Sequence, residues 1–283
     1  MPPTTGIPIF HAVVLGVVQG LTEFIPVSSS GHLILVPWLF GWNDFANNAD
    51  AKKTFDVALH LGTFVGAAGY FLPDLRRLAK AGARSIRRRS VGDFDERQAW
   101  LLLLSAIPGA LTGAALESVI EEYLSKEGLI AANLIVFGLV LAIADRVAAR
   151  RSEKDFATPS AAAMGIAQAL ALAPGVSRSG VTISAARGLG FDRTSAARLS
   201  FLMSLPIIAG AAFYKGAKVL LGGGLPPGTE QAFVAGMVTS AITGALAIGI
   251  VLRHVKNGSF TPYVAYRLGL GVLVLVLLAT GLR

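Results

Sequence analysis

Hydrophobic residues in this chain gather into long continuous runs. Six of them, at about 55–72, 99–117, 131–149, 195–215, 232–252 and 262–281, are able to span a bilayer, which takes a helix of about 20 residues. Two more apolar stretches, 8–38 and 160–186, are broken midway by Pro, Gly and Ser. Each half of those stretches is too short to cross alone, and irregular backbone at membrane depth is tolerated only where protein or a wet cavity covers it. The pattern predicts two re-entrant helical hairpins and six transmembrane helices.

The chain also repeats itself. QGLTEFIPVSSSGH (19–32) is matched by QALALAPGVSRSG (168–180), LHLGTFVGAAGYF (59–71) by LSFLMSLPIIAGAAFY (199–214), and SAIPGAL (105–111) by SAITGAL (240–246). The order is kept while the offset drifts from about 150 to about 135 residues, as in duplicated halves with unequal loops. Each half then holds one hairpin and three spans. Three is odd, so the second half enters the membrane from the opposite side. The expected fold is an all-α polytopic membrane protein of two inverted-topology repeats, each a re-entrant helical hairpin plus three transmembrane helices. The repeats cover about 1–150 and 155–283 of a single integral membrane domain, 1–283. Such folds place their site where the two broken segments meet near the midplane.

Composition agrees with this class. The chain is 53% hydrophobic and 15% charged, against about 25% charged for soluble domains. The absence of Cys excludes disulfides, thiolate catalysis and thiolate metal sites. The start, MPPTTGIPIFHAVV, has no basic n-region and no clear cleavage site, and is expected to be retained. A net charge of +8 invites a nucleic-acid reading, but the basic residues cluster between apolar runs: Arg76, Arg77, Lys80, Arg84, Arg87–Arg89 and Arg97, then Arg146, Arg150, Arg151 and Lys154. That is the pattern of cytoplasmic loops, so no nucleic-acid partner is expected, and anionic lipid headgroups are the secondary one. With 73–98 in the cytoplasm, 146–158, 187–194 and 253–258 follow it there. The acidic loop ESVIEEYLSKEG (117–128), the loop LGGGLPPGTE (221–230) and both termini then lie outside. Glycines in LGTFVGAAGYF (59–71) and LGLGVLV (268–274) suit close helix approach inside the chain, with a homodimer contact as the alternative.

The polar residues of the two broken segments carry the chemistry. An ionisable residue in a membrane segment costs roughly 2.5–3.5 kcal/mol on insertion scales and marks function by default. Glu23 is one, and Gln19, four residues earlier, shares its helix face. Ser28, Ser29 and Ser30 start the next helical piece after Pro26, where hydroxyls cap free N–H groups and the helix end favours an anion. In the second segment Arg178 stands between Ser177 and Ser179 after a Pro-Gly turn, with Thr182 one turn on. Arg suits bidentate phosphate recognition, and the hydroxyls beside it make a nest for an oxyanion. A guanidinium at this depth has to be paired, either with Glu23 as a purely structural bridge or with a substrate, and the surrounding hydroxyls favour the substrate.

These residues resemble the undecaprenyl-diphosphate phosphatases of the bacitracin-resistance family over essentially the whole length. The (E/Q)xxxE motif followed by PVSSxGH is met by Gln19, Glu23, Pro26–Ser29, Gly31 and His32, and PGxSRSxxT by Pro174, Gly175, Ser177, Arg178, Ser179 and Thr182. Gln19 stands where the family also uses Glu, which removes one candidate metal ligand or base. The resemblance implies removal of the terminal phosphate of a C55 polyprenyl diphosphate in the bacterial plasma (inner) membrane. That recycles the lipid carrier for peptidoglycan synthesis and gives bacitracin tolerance, with a site open to the outer (periplasmic) face.

Residues and resemblance agree on the roles. Ser29 is the expected nucleophile, with His32 or Glu23 as its base. Arg178 binds the phosphate and stabilises charge, with Ser28, Ser177, Ser179 and Thr182 around the phosphate oxygens and Gln19 and Ser30 supporting. Glu23 alternatively holds a divalent cation, Mg²⁺ or Ca²⁺. The rival reading is an inverted-repeat transporter or flippase for a lipid-linked or anionic solute, which explains Arg178 but not a Ser triplet beside Glu and His.

Overall fold

The computed structural model describes residues 7–45, 48–221, 225 and 228–283. Residues 1–6, 46–47, 222–224 and 226–227 therefore lie outside the described residues, so the loop read at 221–230 is only partly described.

Eleven α-helices form among the described residues, and the sole β-type pairing there is a bridge between Arg151 and Phe191. The two broken stretches are helical hairpins: α1 (Ile9–Phe24) with α2 (Ser29–Phe40), and α7 (Thr158–Leu170) with α8 (Arg178–Gly188). No arm reaches the length of a crossing. The first hairpin is followed by α3 (Ala49–Tyr70), α4 (Leu72–Arg88), α5 (Phe94–Tyr123) and α6 (Glu127–Asp145). The second is followed by α9 (Arg193–Leu221), α10 (Glu230–Asn257) and α11 (Thr261–Ala279). Among the described residues α5, α6, α9, α10 and α11 are each long and apolar enough to cross a membrane. The sixth expected span, α3, reaches that standard only together with α4, from which it is bent by 81°.

Packing is reciprocal between the halves. The first arm α1 lies on α10, and its counterpart α7 lies on α5; α3 meets α9 and α6 meets α11. Each hairpin is thus seated in the other half's helices, as a two-fold relation between repeats requires. Glycines permit the closest of these approaches. A Cβ at Gly20 would stand 2.6 Å from the Ser240 carbonyl oxygen of α10, and Gly62 and Gly66 of α3 abut the backbone of Met237 and Ala241 on the same helix. The glycines of LGTFVGAAGYF that pack closely therefore do so within the chain.

Two segments differ from expectation. Most of 73–98, read as a loop, is the helix α4, which buries Leu78, Ala81 and Ser85 and sets Arg77, Arg84 and Arg88 against the start of α5. The acidic stretch 117–123 continues α5 rather than forming a loop.

Polar contacts collect on one end of the bundle. Arg198 pairs with Asp74 and with Glu153 (2.9 Å), and Gln98 Nε2 donates to Glu153 (2.7 Å). Asp145, buried at the end of α6, accepts from Arg193 Nε (2.6 Å) and from the Phe260 N–H that opens α11 (3.1 Å). Toward the other end, His11 pairs with Asp44 (2.8 Å) and Arg283 Nη2 donates to the Leu39 carbonyl (2.9 Å).

Candidate active site

The chain turns between hairpin arms at Ile25–Ser28 and at Ala171–Ser177, and the two turns touch. The Gly175 N–H donates to Ser28 Oγ (3.0 Å), and Ser179 Oγ donates to the Ile25 carbonyl (3.3 Å). Ser28 (φ 78°, ψ 96°) and Ser177 (φ 74°, ψ 112°) hold the same left-handed backbone, which non-glycine residues adopt only where surrounding structure enforces it. Each then caps its helix: Ser28 Oγ accepts from Gly31 N–H (3.4 Å), and Ser177 Oγ from Gly180 N–H (3.1 Å). Such a cap contributes about 1 kcal/mol. Ser30 and Ser179 lie within reach of these caps, 3.5 and 3.3 Å between hydroxyls.

The internal duplication thereby makes Ser29 and Arg178 equivalent, each the first residue of its helix. Both reach the same carboxylate. Ser29 Oγ donates to Glu23 Oε2 (2.6 Å), and Arg178 Nη2 donates to Glu23 Oε1 (3.1 Å). Gln19 Nε2 also donates to Glu23 Oε2 (3.0 Å). Glu23 is buried, with a side chain only 5% exposed, whereas Arg178 retains 12% exposure. Two helix N-termini, each capped by its own serine, therefore flank one buried ion pair, an arrangement that favours an anion.

Two polar atoms of this cluster are buried without a partner among the described residues: Gln19 Oε1 and Arg178 Nε. A buried donor left unmade is costly, about 1–3 kcal/mol. Arg178 Nε is thus a buried donor with no acceptor among the described residues. Its other nitrogens also lean on the backbone carbonyls of Ser200 and Glu23 (3.4 Å each).

The remaining expected residues fall around this centre. Thr182 Oγ1 donates to the Arg178 carbonyl (2.7 Å) and lies 2.6 Å from Ser200 Oγ, so it braces the first turn that carries Arg178. His32 is turned the other way. Its Nδ1–H donates to the Ser28 carbonyl (2.6 Å), and its Nε2 meets the Tyr266 hydroxyl (2.8 Å) with the rings stacked.

Four residues at the site were not singled out from the sequence. His60 on α3 donates through Nδ1–H to the Asp56 carbonyl (2.7 Å) and brings Nε2 to 3.8 Å from Glu23 Oε2. Ser200 occupies the matching place in the second half, since His60 and Ser200 each follow the Leu that opens a repeated segment. Tyr266 holds His32. Arg267, wholly buried, donates to the carbonyls of Pro26 (3.2 Å), Gly175 (2.9 Å) and Val176 (3.0 Å), and to Asn133 and Leu134 of α6. It ties both turns to one helix. An Arg inside PYVAYRLGLG was itself a signal, by the cost that singled out Glu23.

Fold and site together define a polytopic membrane protein with a hydroxyl, a carboxylate and a guanidinium converging at the junction of two broken helices. The chain belongs to the bacitracin resistance protein BacA family, whose family model matches residues 12–273. It is similar to the undecaprenyl-diphosphatase of Pelobacter propionicus, 45% identical over 276 residues that cover 97% of this chain and 98% of that protein. It is likewise similar to the undecaprenyl-diphosphatase of Geobacter metallireducens, 46% identical over 270 residues, 94% of this chain and 97% of that protein.

Proposed function

We propose that this protein removes the terminal phosphate of undecaprenyl diphosphate, with Ser29 as nucleophile and Glu23 as its base. The observation that carries the assignment is the 2.6 Å hydrogen bond from Ser29 Oγ to a carboxylate whose other oxygen is held by Arg178. Glu23 takes the Ser29 proton as Oγ attacks the terminal phosphorus. The bond from that phosphorus to the bridging oxygen breaks, and the proton passes to the departing prenyl monophosphate. Water then attacks the phosphoserine, giving its proton to Glu23, which returns it to Ser29 as inorganic phosphate leaves. Arg178 and the first-turn N–H groups of α2 and α8 stabilise the charge on the phosphoryl oxygens. His32 is less suited to be the base, because both ring nitrogens are engaged by Ser28 and Tyr266.

The residues present also fit a divalent cation. Glu23 and the unpartnered Gln19 Oε1 are neighbouring acceptors on one face of α1. They would hold a Mg²⁺ or Ca²⁺ that takes its other ligands from diphosphate and water. When bound, the ion would neutralise diphosphate charge.

In this reading the enzyme recycles the lipid carrier of peptidoglycan synthesis and gives bacitracin tolerance. It sits in the bacterial plasma membrane with the site open to the outer face. The relatives bear the name of a hydrolase, so the transporter reading is set aside. Release of inorganic phosphate from the prenyl diphosphate by purified protein in detergent tests the proposal; binding without release would return it to a carrier.

A further inference from the structure

The helix α4 carries six basic residues in seventeen and leaves the axis of α3 at 81°. Its basic residues divide into two sets. Arg77, Arg84 and Arg88 turn toward the start of α5, where they pair with Asp95, Asp93 and Glu96. Arg76, Lys80 and Arg87 are exposed and have no ion pair among the described residues. They recur four and seven residues apart, which lines them along one strip of the helix.

Beside that strip runs an apolar one. Leu72 (41% exposed), Ala79, Ala83 and Ile86 (64% exposed) share the outer side, opposite Leu78, Ala81 and Ser85, which are buried against the body. Around the helix the order is therefore buried face, paired cations, unpaired cations, exposed apolar strip. Trp100 of α5, 40% exposed, donates its indole N–H to Ser85 Oγ (2.8 Å) and flanks the same helix, and Trp is a residue type enriched at membrane–water interfaces.

We infer that α4 lies in the plane of the membrane surface, with Leu72, Ala79, Ala83 and Ile86 among acyl chains and Arg76, Lys80 and Arg87 on the phosphates of anionic phospholipids. An amphipathic helix with cations along one edge of its apolar strip binds a bilayer through both contributions. The pairing with α5 matters because it removes half of the helix's charges from this task and fixes which edge faces the headgroups. The occupant is a lipid surface: an acidic protein would match the cations but leave the apolar strip beside them in water.

The chain has no cysteine, so single probes can be placed without background. Spin labels at Ile86→Cys and, as a water reference, Ser90→Cys are compared in nanodiscs for contact with molecular oxygen and with a water-soluble relaxer. Ile86 should be oxygen-rich and Ser90 water-rich; equal water exposure at both overturns the placement. A fluorophore at Ile86→Cys is then quenched by spin-labelled phosphatidylglycerol or phosphatidylcholine in mixed vesicles. Phosphatidylglycerol should quench more, and each charge removed in the series R76Q, K80Q, R87Q should reduce that preference about fivefold. High salt on the unsubstituted helix should do the same, which keeps the test independent of how the variants fold. Equal quenching by the two lipids before any substitution overturns the headgroup assignment.

Discussion

At Ser29 the reaction turns on where one proton goes. Ser29→Ala removes the nucleophile but leaves Arg178 in place. Turnover is expected to fall by roughly 10⁴- to 10⁶-fold while the lipid diphosphate still binds; single-turnover phosphate release and a binding titration separate the two. If Glu23 is the base, Glu23→Gln should approach the Ser29→Ala loss, whereas His32→Ala should lose much less, acting only through the Ser28 carbonyl and Tyr266. Comparable losses would move the base to His32. Arg178→Lys keeps the charge but not the fork, and a drop of about 100- to 1,000-fold in kcat is expected with normal membrane insertion. Near-normal turnover would remove Arg178 from the phosphate. The sequence disclosed Glu23, Ser29 and Arg178 because ionisable and hydroxyl groups stand out in apolar runs. It did not disclose His60 or Ser200, whose roles depend on which face of α3 and α9 meets the turns, a tertiary fact.

Elements carry the next level of precision. Arg267 donates to five backbone carbonyls from both turns and α6, and no carboxylate pairs with it among the described residues. Arg267→Met would leave those carbonyls dry at about 1–3 kcal/mol each, partly relieved by relaxation. A loss of several kcal/mol in stability is expected, read as a lower Tm in detergent. Arg267→Lys, with three donors for five acceptors, should fall between. An unchanged Tm in Arg267→Met would show that the turns hold without it. The hairpins were legible because Pro26 and Pro174–Gly175 interrupt apolar runs. The helix α4 was not, because a charged stretch reads as solvated loop until the acidic residues of α5 supply its partners. Pairs up to 18 residues apart, such as Arg77 with Asp95, set it against the start of α5.

For the whole molecule, the repeated segments predicted an inverted pair of hairpins. The reciprocal seating of α1 on α10 and α7 on α5 agrees with it. The same relation constrains topology. The loops expected to share the cytoplasm are joined by contacts of Asp74 and Glu153 with Arg198 and of Asp145 with Arg193. Segments near the two termini meet at Leu39 and Arg283. One end of the bundle therefore holds the basic loops as a unit, and only its direction is left to the Lys/Arg bias, which predicts a cytoplasmic face for it. Ser90, exposed just past α4, reports that direction. Ser90→Cys should resist a membrane-impermeant thiol reagent in intact cells and react once the membrane is opened. A cysteine at the exposed Arg283 should do the opposite. Labelling of Ser90→Cys in intact cells would invert the whole assembly. The opening proposed to face outward would then face the cytoplasm, and the diphosphate would have to reach Ser29 from the inner leaflet.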